Sequence, residues 1–111
     1  MTKDDRLDAA FSALAHPARR AILAQLAQGT ASVNALAEPF DMTLPAVSKH
    51  IRVLENAGLI SREKNAQFRL CKLETAPIQE IASWTEKYRF IWEARFNAID
   101  TLLADMKEKD Q

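Results

Sequence analysis

The sequence holds one cysteine, two glycines, two histidines and four prolines in 111 residues. A lone thiol, Cys71, forms no disulfide within the chain, which fits a reducing compartment. No cluster of three or four His, Cys, Asp or Glu ligands is apparent, and there is no glycine-rich phosphate loop. No run of about 18 apolar residues is available to span a bilayer. The opening Met1-Thr2-Lys3-Asp4-Asp5 lacks the apolar segment of a secretory signal. These absences lead to the expectation of a cytoplasmic, single-domain protein over residues 1–111, with no metal, no cofactor and no membrane partner.

What is present suffices for a core. Hydrophobic residues make up 48% of the chain and charged residues 27%, ordinary values for a folded domain. The formal net charge is zero, but its distribution is uneven. Residues 43–73 carry Lys49, Arg52, Arg62, Lys64, Arg69 and Lys72 against Glu55 and Glu63, a net of +4. Residues 1–42 and 74–111 carry nets of −1 and −3. Positive potential is thus concentrated in the middle third, and phosphate contacts need such a local field rather than a basic total.

Leu7, Ala10, Phe11 and Leu14 recur at helical spacing and predict a first helix started by Asp4 or Asp5. His16-Pro17 breaks it, because the residue before a proline avoids the helical region. Pro17 suits the first turn of a second helix, which turns Ile22, Leu23 and Leu26 inward and ends at Gly29. Ser32 caps a short third helix with Val33, Leu36, Ala37 and Phe40 on one face. After a tight turn at Phe40-Asp41-Met42, Thr43 caps a fourth helix, with Pro45 in its first turn and Gly58 after its end. Two helices joined in this way form a helix-turn-helix unit. The period then changes. Residues 59–64 and 67–73 read as two strands around a turn near Asn65-Ala66. One long helix is predicted from about Pro77 to Met106.

On the fourth helix Val47, Ile51 and Leu54 cluster within about 60° and face the core. Opposite them lie Pro45, Lys49, Arg52 and Asn56, with Ser48 on the flank and Glu55 at the edge. Lysine and arginine attract phosphates and can donate to guanine, while serine and asparagine are small enough to approach base edges. Arg62, Lys64, Gln67 and Arg69 make the hairpin a basic wing suited to flanking phosphates or the adjacent minor groove. Catalytic residues are not expected. His16 suits a helix cap, His50 either satisfied packing or a phosphate contact, and Cys71 an inert thiol.

Two segments carry a family resemblance. Phe11-Ser-Ala-Leu-Ala-His-Pro-Ala-Arg-Arg-Ala-Ile-Leu23 and Leu44-Pro-Ala-Val-Ser-Lys-His-Ile-Arg-Val-Leu-Glu-Asn-Ala-Gly-Leu-Ile60 resemble the signature segments of the ArsR family of bacterial transcriptional regulators. The resemblance covers about residues 5–75, and Trp84…Tyr88-Arg-Phe-Ile-Trp92-Glu is similar to a subgroup without metal sites. It implies a dimeric winged-helix repressor that releases DNA when an inducer binds. It also implies that Leu44, Pro45, Ser48 and Lys49 enter the major groove. Metal sensing is not carried over: Ser32 and Asn34 stand where metal-sensing members have a Cys-x-Cys pair, and no histidine follows His50.

The expected fold is therefore mainly α with a small β-hairpin, a winged helix-turn-helix of about five helices and a two-stranded wing. Residues 5–75 would be the DNA-reading head and 76–107 a dimerisation helix. The expected DNA-binding residues are Thr43, Leu44, Pro45, Ser48, Lys49, Arg52, Asn56, Arg62, Lys64, Gln67 and Arg69. Ile78, Thr85, Trp92, Ile99 and Met106 repeat every seven residues, flanked by further apolar side chains. A helix apolar over so much of its circumference needs burial on two sides. Leu7, Phe11, Ile81, Tyr88, Trp92, Ile99 and Leu102 are accordingly expected at a dimer interface, and a pseudo-palindromic double-stranded operator as the partner. Two other readings remain: a winged-helix module binding an acidic protein, and a redox-sensing repressor that uses Cys71 between subunits.

Overall fold

The structure, a computed structural model, describes residues 1–65 and 68–109, with backbone only at 65, 68, 96 and 109. Its backbone divides into two compact units, Met1–Ile81 and Ala82–Gln111.

The first unit opens with α1 (Lys3–Leu14). Its cap is Thr2, two or three residues before the expected Asp4 or Asp5. The Thr2 hydroxyl accepts from the Asp5 amide at 3.1 Å, and the Asp5 carboxylate accepts from the Thr2 amide at 3.2 Å. This reciprocal box satisfies two backbone donors at once, so the helix starts where both partners exist. The same hydrogen bonds hold the Asp5 carboxyl below its ordinary pKa.

In α2 (Pro17–Leu26), His16 is the N-cap and its Nδ1 accepts from the Ala18 amide at 3.1 Å. Ser32 caps α3 (Val33–Ala37) and Thr43 caps α4 (Leu44–Asn56), each accepting from the amide three residues on. All three caps match the sequence reading. Gly58 takes φ +78° just beyond α4, and a Cβ there would meet nothing closer than 3.7 Å. The left-handed backbone, not crowding, is what favours glycine.

The core joins Ile22, Leu23 and Leu26 of α2 to Leu36 of α3 and to Val47, Ile51 and Leu54 of α4. Leu59, Ile60 and Cys71 close it from the hairpin side. From α1 only Ala10 and Ala13 are buried, whereas Phe11 is 39% exposed. Truncating a fully buried leucine such as Leu36 to alanine would cost about 2–5 kcal/mol.

The hairpin pairs β1 (Ile60–Asn65) with β2 (Phe68–Leu73) antiparallel, with Arg62 opposite Cys71 and Lys64 opposite Arg69. Of the turn expected near Asn65-Ala66, Asn65 ends β1, while Ala66 and Gln67 lie outside the described residues. A single antiparallel bridge adds Ala31 to β2: the Cys71 amide donates to the Ala31 carbonyl at 2.7 Å, and the Ala31 amide returns the bond at 3.1 Å. The wing is thereby pinned to the segment that enters α3.

The expected single C-terminal helix is two helices, α5 (Ala76–Glu86) and α6 (Arg89–Lys109), giving six helices among the described residues. Neither glycine nor proline marks the break. The backbone tightens instead, with Tyr88 donating to the Thr85 carbonyl at 2.9 Å and Ile91 to the Tyr88 carbonyl at 3.0 Å. The Thr85 hydroxyl donates to the Ala82 carbonyl, the kind of side-chain bond that competes with the helical ladder and bends it. Arg89 pairs with both Glu86 and Glu93 across the break. No described helix is long and apolar enough to cross a membrane.

Candidate nucleic-acid interface

The fourth helix divides as its pattern predicts. Val47, Ile51 and Leu54 are fully buried, while Thr43, Leu44, Pro45, Lys49, Arg52 and Asn56 are exposed and Ser48 is half-buried. Leu44 is 47% exposed at the N-terminal end of α4, an apolar side chain left facing outward beside hydrogen-bonding neighbours. Lys49, Arg52, Ser48 and Asn56 have no side-chain hydrogen bond or ion pair among the described residues, so their polar groups are free to meet a partner.

Pairing and alternation put Arg62, Lys64, Arg69 and Cys71 on one face of the hairpin. At its root this face closes the core with Cys71, and further out it is cationic. Lys64 and Arg69 stand directly opposite each other, an arrangement that repels and is unfavourable unless an anion offsets it. Among the described residues Arg62 alone of these cations has a carboxylate partner, its Nε lying 3.1 Å from Oε2 of Glu55 on α4.

Between α3, α4 and the hairpin runs an open groove of about 510 Å³, lined by Ser32, Val33, Asn34, Leu44, Ser48, Arg52, Arg62 and Arg69. Five of the expected DNA-binding residues meet here. Pro45 and Lys49 line a second, smaller depression of about 290 Å³ with Ser48 and Arg52. The sequence reading missed Asn34, whose outward position on α3 follows once Leu36 is known to point inward.

It also missed the role of the paired arginines after His16-Pro17. Arg19 donates to the carbonyls of Ala13 (2.6 Å) and Ser12 (3.2 Å), and Arg20 to that of Leu14 (2.7 Å). Both side chains serve carbonyls at the end of α1, of which that of Ser12 also accepts from the Ala15 amide. His50 is held in packing, with its ring centroid 4.4 Å from that of His16 and its Nδ1 3.3 Å from an Arg19 nitrogen. Burial, and then the neighbours His16, Arg19 and Lys49, push its pKa down.

Cys71 is fully buried, and burial pushes its thiol pKa up, which keeps it protonated and poorly nucleophilic. Among the described residues no three His, Cys, Asp or Glu side chains are grouped to hold a metal ion. Ser32 is occupied in capping α3.

A helix-turn-helix with an exposed cationic second helix, flanked by a basic hairpin, defines a winged helix-turn-helix DNA-binding protein. A family model described as a helix-turn-helix domain matches residues 14–63. The transcriptional repressor SdpR of Bacillus subtilis is 34% identical over 74 residues, which cover 67% of this chain and 82% of SdpR. The HTH-type transcriptional regulator Rv2034 of Mycobacterium tuberculosis is 32% identical over 73% of this chain and 76% of its own length. The crystal structure of an ArsR family transcriptional regulator matches with a TM-score of 0.73 and 41% identity, over 81% of this chain and 93% of that one. The chain belongs to the ArsR family of winged helix-turn-helix transcriptional regulators, which bind DNA and are not enzymes.

Proposed function

We propose that the protein acts in the cytoplasm as a homodimer that sets α4 into the major groove of each half of a pseudo-palindromic operator, and that an effector signal releases it. Thr43, Leu44, Pro45, Ser48, Lys49, Arg52 and Asn56 present the reading surface, and Arg62, Lys64 and Arg69 of the wing face the flanking backbone and minor groove, with Gln67 a further wing contact expected from the sequence alone. The observation that carries this reading is the unneutralised cationic face of α4 beside a hairpin whose opposed cations, Lys64 and Arg69, call for an anion. Dimerisation is supported by the apolar side chains of α6: Ile99, Leu102, Leu103 and Met106 are each more than half exposed, at 51%, 59%, 57% and 55%. So much exposed apolar surface on one helix favours a partner. Two-fold symmetry would place the two copies of α4 roughly 34 Å apart, one turn of DNA.

Footprinting on the promoter of the protein's own gene tests the proposal. Two protected half-sites about 10 base pairs apart, centre to centre, are expected, with two chains per site in sedimentation. A single protected half-site filled by one chain would overturn the dimeric reading.

A further inference from the structure

A duplex has two grooves, and one sugar–phosphate strand separates each major groove from the next minor groove. If α4 lies in the major groove and the hairpin meets the adjacent minor groove, that strand passes between α4 and the hairpin. In that place the chain has an open groove lined by three guanidinium-bearing residues, Arg52, Arg62 and Arg69, together with Asn34 from α3. The three arginines are not equivalent. Arg62 is neutralised by Glu55 at 3.1 Å, whereas the side chains of Arg52, Arg69 and Asn34 have no hydrogen bond or ion pair among the described residues.

We propose that this groove is a phosphodiester site in which Arg52 and Arg69 grip the strand separating the two DNA grooves and Asn34 donates its side-chain amide to the same backbone. This assignment rests on the placement of α4 in the major groove and refines it. Arg52 becomes a phosphate ligand instead of a reader of base edges, and α3 gains a contact that its hydrophobic pattern alone does not announce. Guanidinium donors suit a phosphodiester because their planar fork matches two oxygens of one phosphate, and two cations facing one groove are mutually repulsive until an anion lies between them. Glu55 withholds the third arginine. Arg62 is a positioning residue whose ion pair with Glu55 ties β1 to the last turn of α4.

The test is the salt dependence of binding to a fluorescent mixed-sequence duplex several helical turns long, read by anisotropy. Each phosphate contact contributes about 0.9 to the slope of log K against log salt. Arg52→Ala and Arg69→Ala are each expected to flatten the slope by about 0.9, and Arg52→Lys to restore it, because the charge returns. Asn34→Ala, which removes a neutral donor, weakens binding with the slope unchanged. Glu55→Gln frees Arg62 and steepens the slope. Unaltered slopes in both alanine variants, with duplex binding retained, would overturn the phosphate site and leave the α4 placement standing. Failure of the intact chain to bind any duplex would overturn both. Inorganic phosphate that competes with the duplex beyond its effect on ionic strength would assign the groove to a small anion and overturn the strand assignment.

Discussion

The guanidinium of Arg19, in the first turn of α2, lies 3.3 Å from Nδ1 of His50 in the middle of α4, while donating to the last carbonyls of α1. One side chain thus joins three helices and touches the helix expected to read DNA. A guanidinium can only donate, so the bond requires Nδ1 of His50 to be unprotonated. His16, Arg19 and Lys49 all oppose a positive charge on that ring.

Stability is therefore expected to fall on acidification. Because the folded pKa of His50 lies below the ordinary histidine value of 6.5, the unfolded chain takes up this proton first as pH drops. The contribution is intact above 6.5, is lost between that value and the lower folded one, and levels off below it. Urea unfolding between about pH 5 and 8 would read this, and His50→Gln should flatten that segment of the profile. An identical pH profile in the variant would refute the assignment.

Arg19→Met keeps the aliphatic stem but removes the donors to Ser12 and Ala13. A loss of about 1.5–3 kcal/mol is expected, the range for hydrogen bonds involving a charged group, and the lower end is favoured because Arg19 is only half-buried. Chemical denaturation supplies the number. A loss indistinguishable from zero would mean that the α1 carbonyls are equally well served by water.

Lys49 is exposed on α4 beside Ser48 and Pro45, away from the hairpin, and is the better candidate for reading bases. Lys49→Ala should cost roughly 1–3 kcal/mol on the operator and reduce discrimination against mixed-sequence DNA. Competition binding separates the two effects. Equal weakening on both DNAs would reassign Lys49 to the backbone.

Cys71 should resist alkylation and aromatic disulfide reagents in the folded protein and react at once in denaturant, because its thiol is buried and held protonated. Rapid stoichiometric labelling under native conditions would revive the redox-sensing alternative.

Ile99 and Leu102 are exposed in α6, so replacing both with glutamate disturbs no core. Sedimentation should then show monomers where the unaltered chain is expected to dimerise, with operator binding weakened. A double variant that remains dimeric would move the interface elsewhere.

Much of the architecture is legible in the linear order of residues, because helix signals are local. Ser32, Thr43 and His16-Pro17 act on amides two or three residues away, and Val47, Ile51 and Leu54 share a face by the pitch of the helix alone. The change from a period of 3.6 to strand-like spacing after Gly58 needs no partner to be seen. The start of α1 escaped because Thr2 and Asp5 cap it jointly and either acid nearby would have looked sufficient. The break between α5 and α6 escaped because no proline or glycine encodes it; the one local mark near it is a threonine hydroxyl bonded to the Ala82 carbonyl. Tertiary structure alone decided which cations are free. Arg19 and Arg20 look like surface charge in the sequence, yet they serve carbonyls of another helix. Glu55 neutralises Arg62 across seven residues, and Ala31 pairs with Cys71 across forty. Such contacts depend on how separate elements meet in space, and residue spacing along the chain carries no record of that distance.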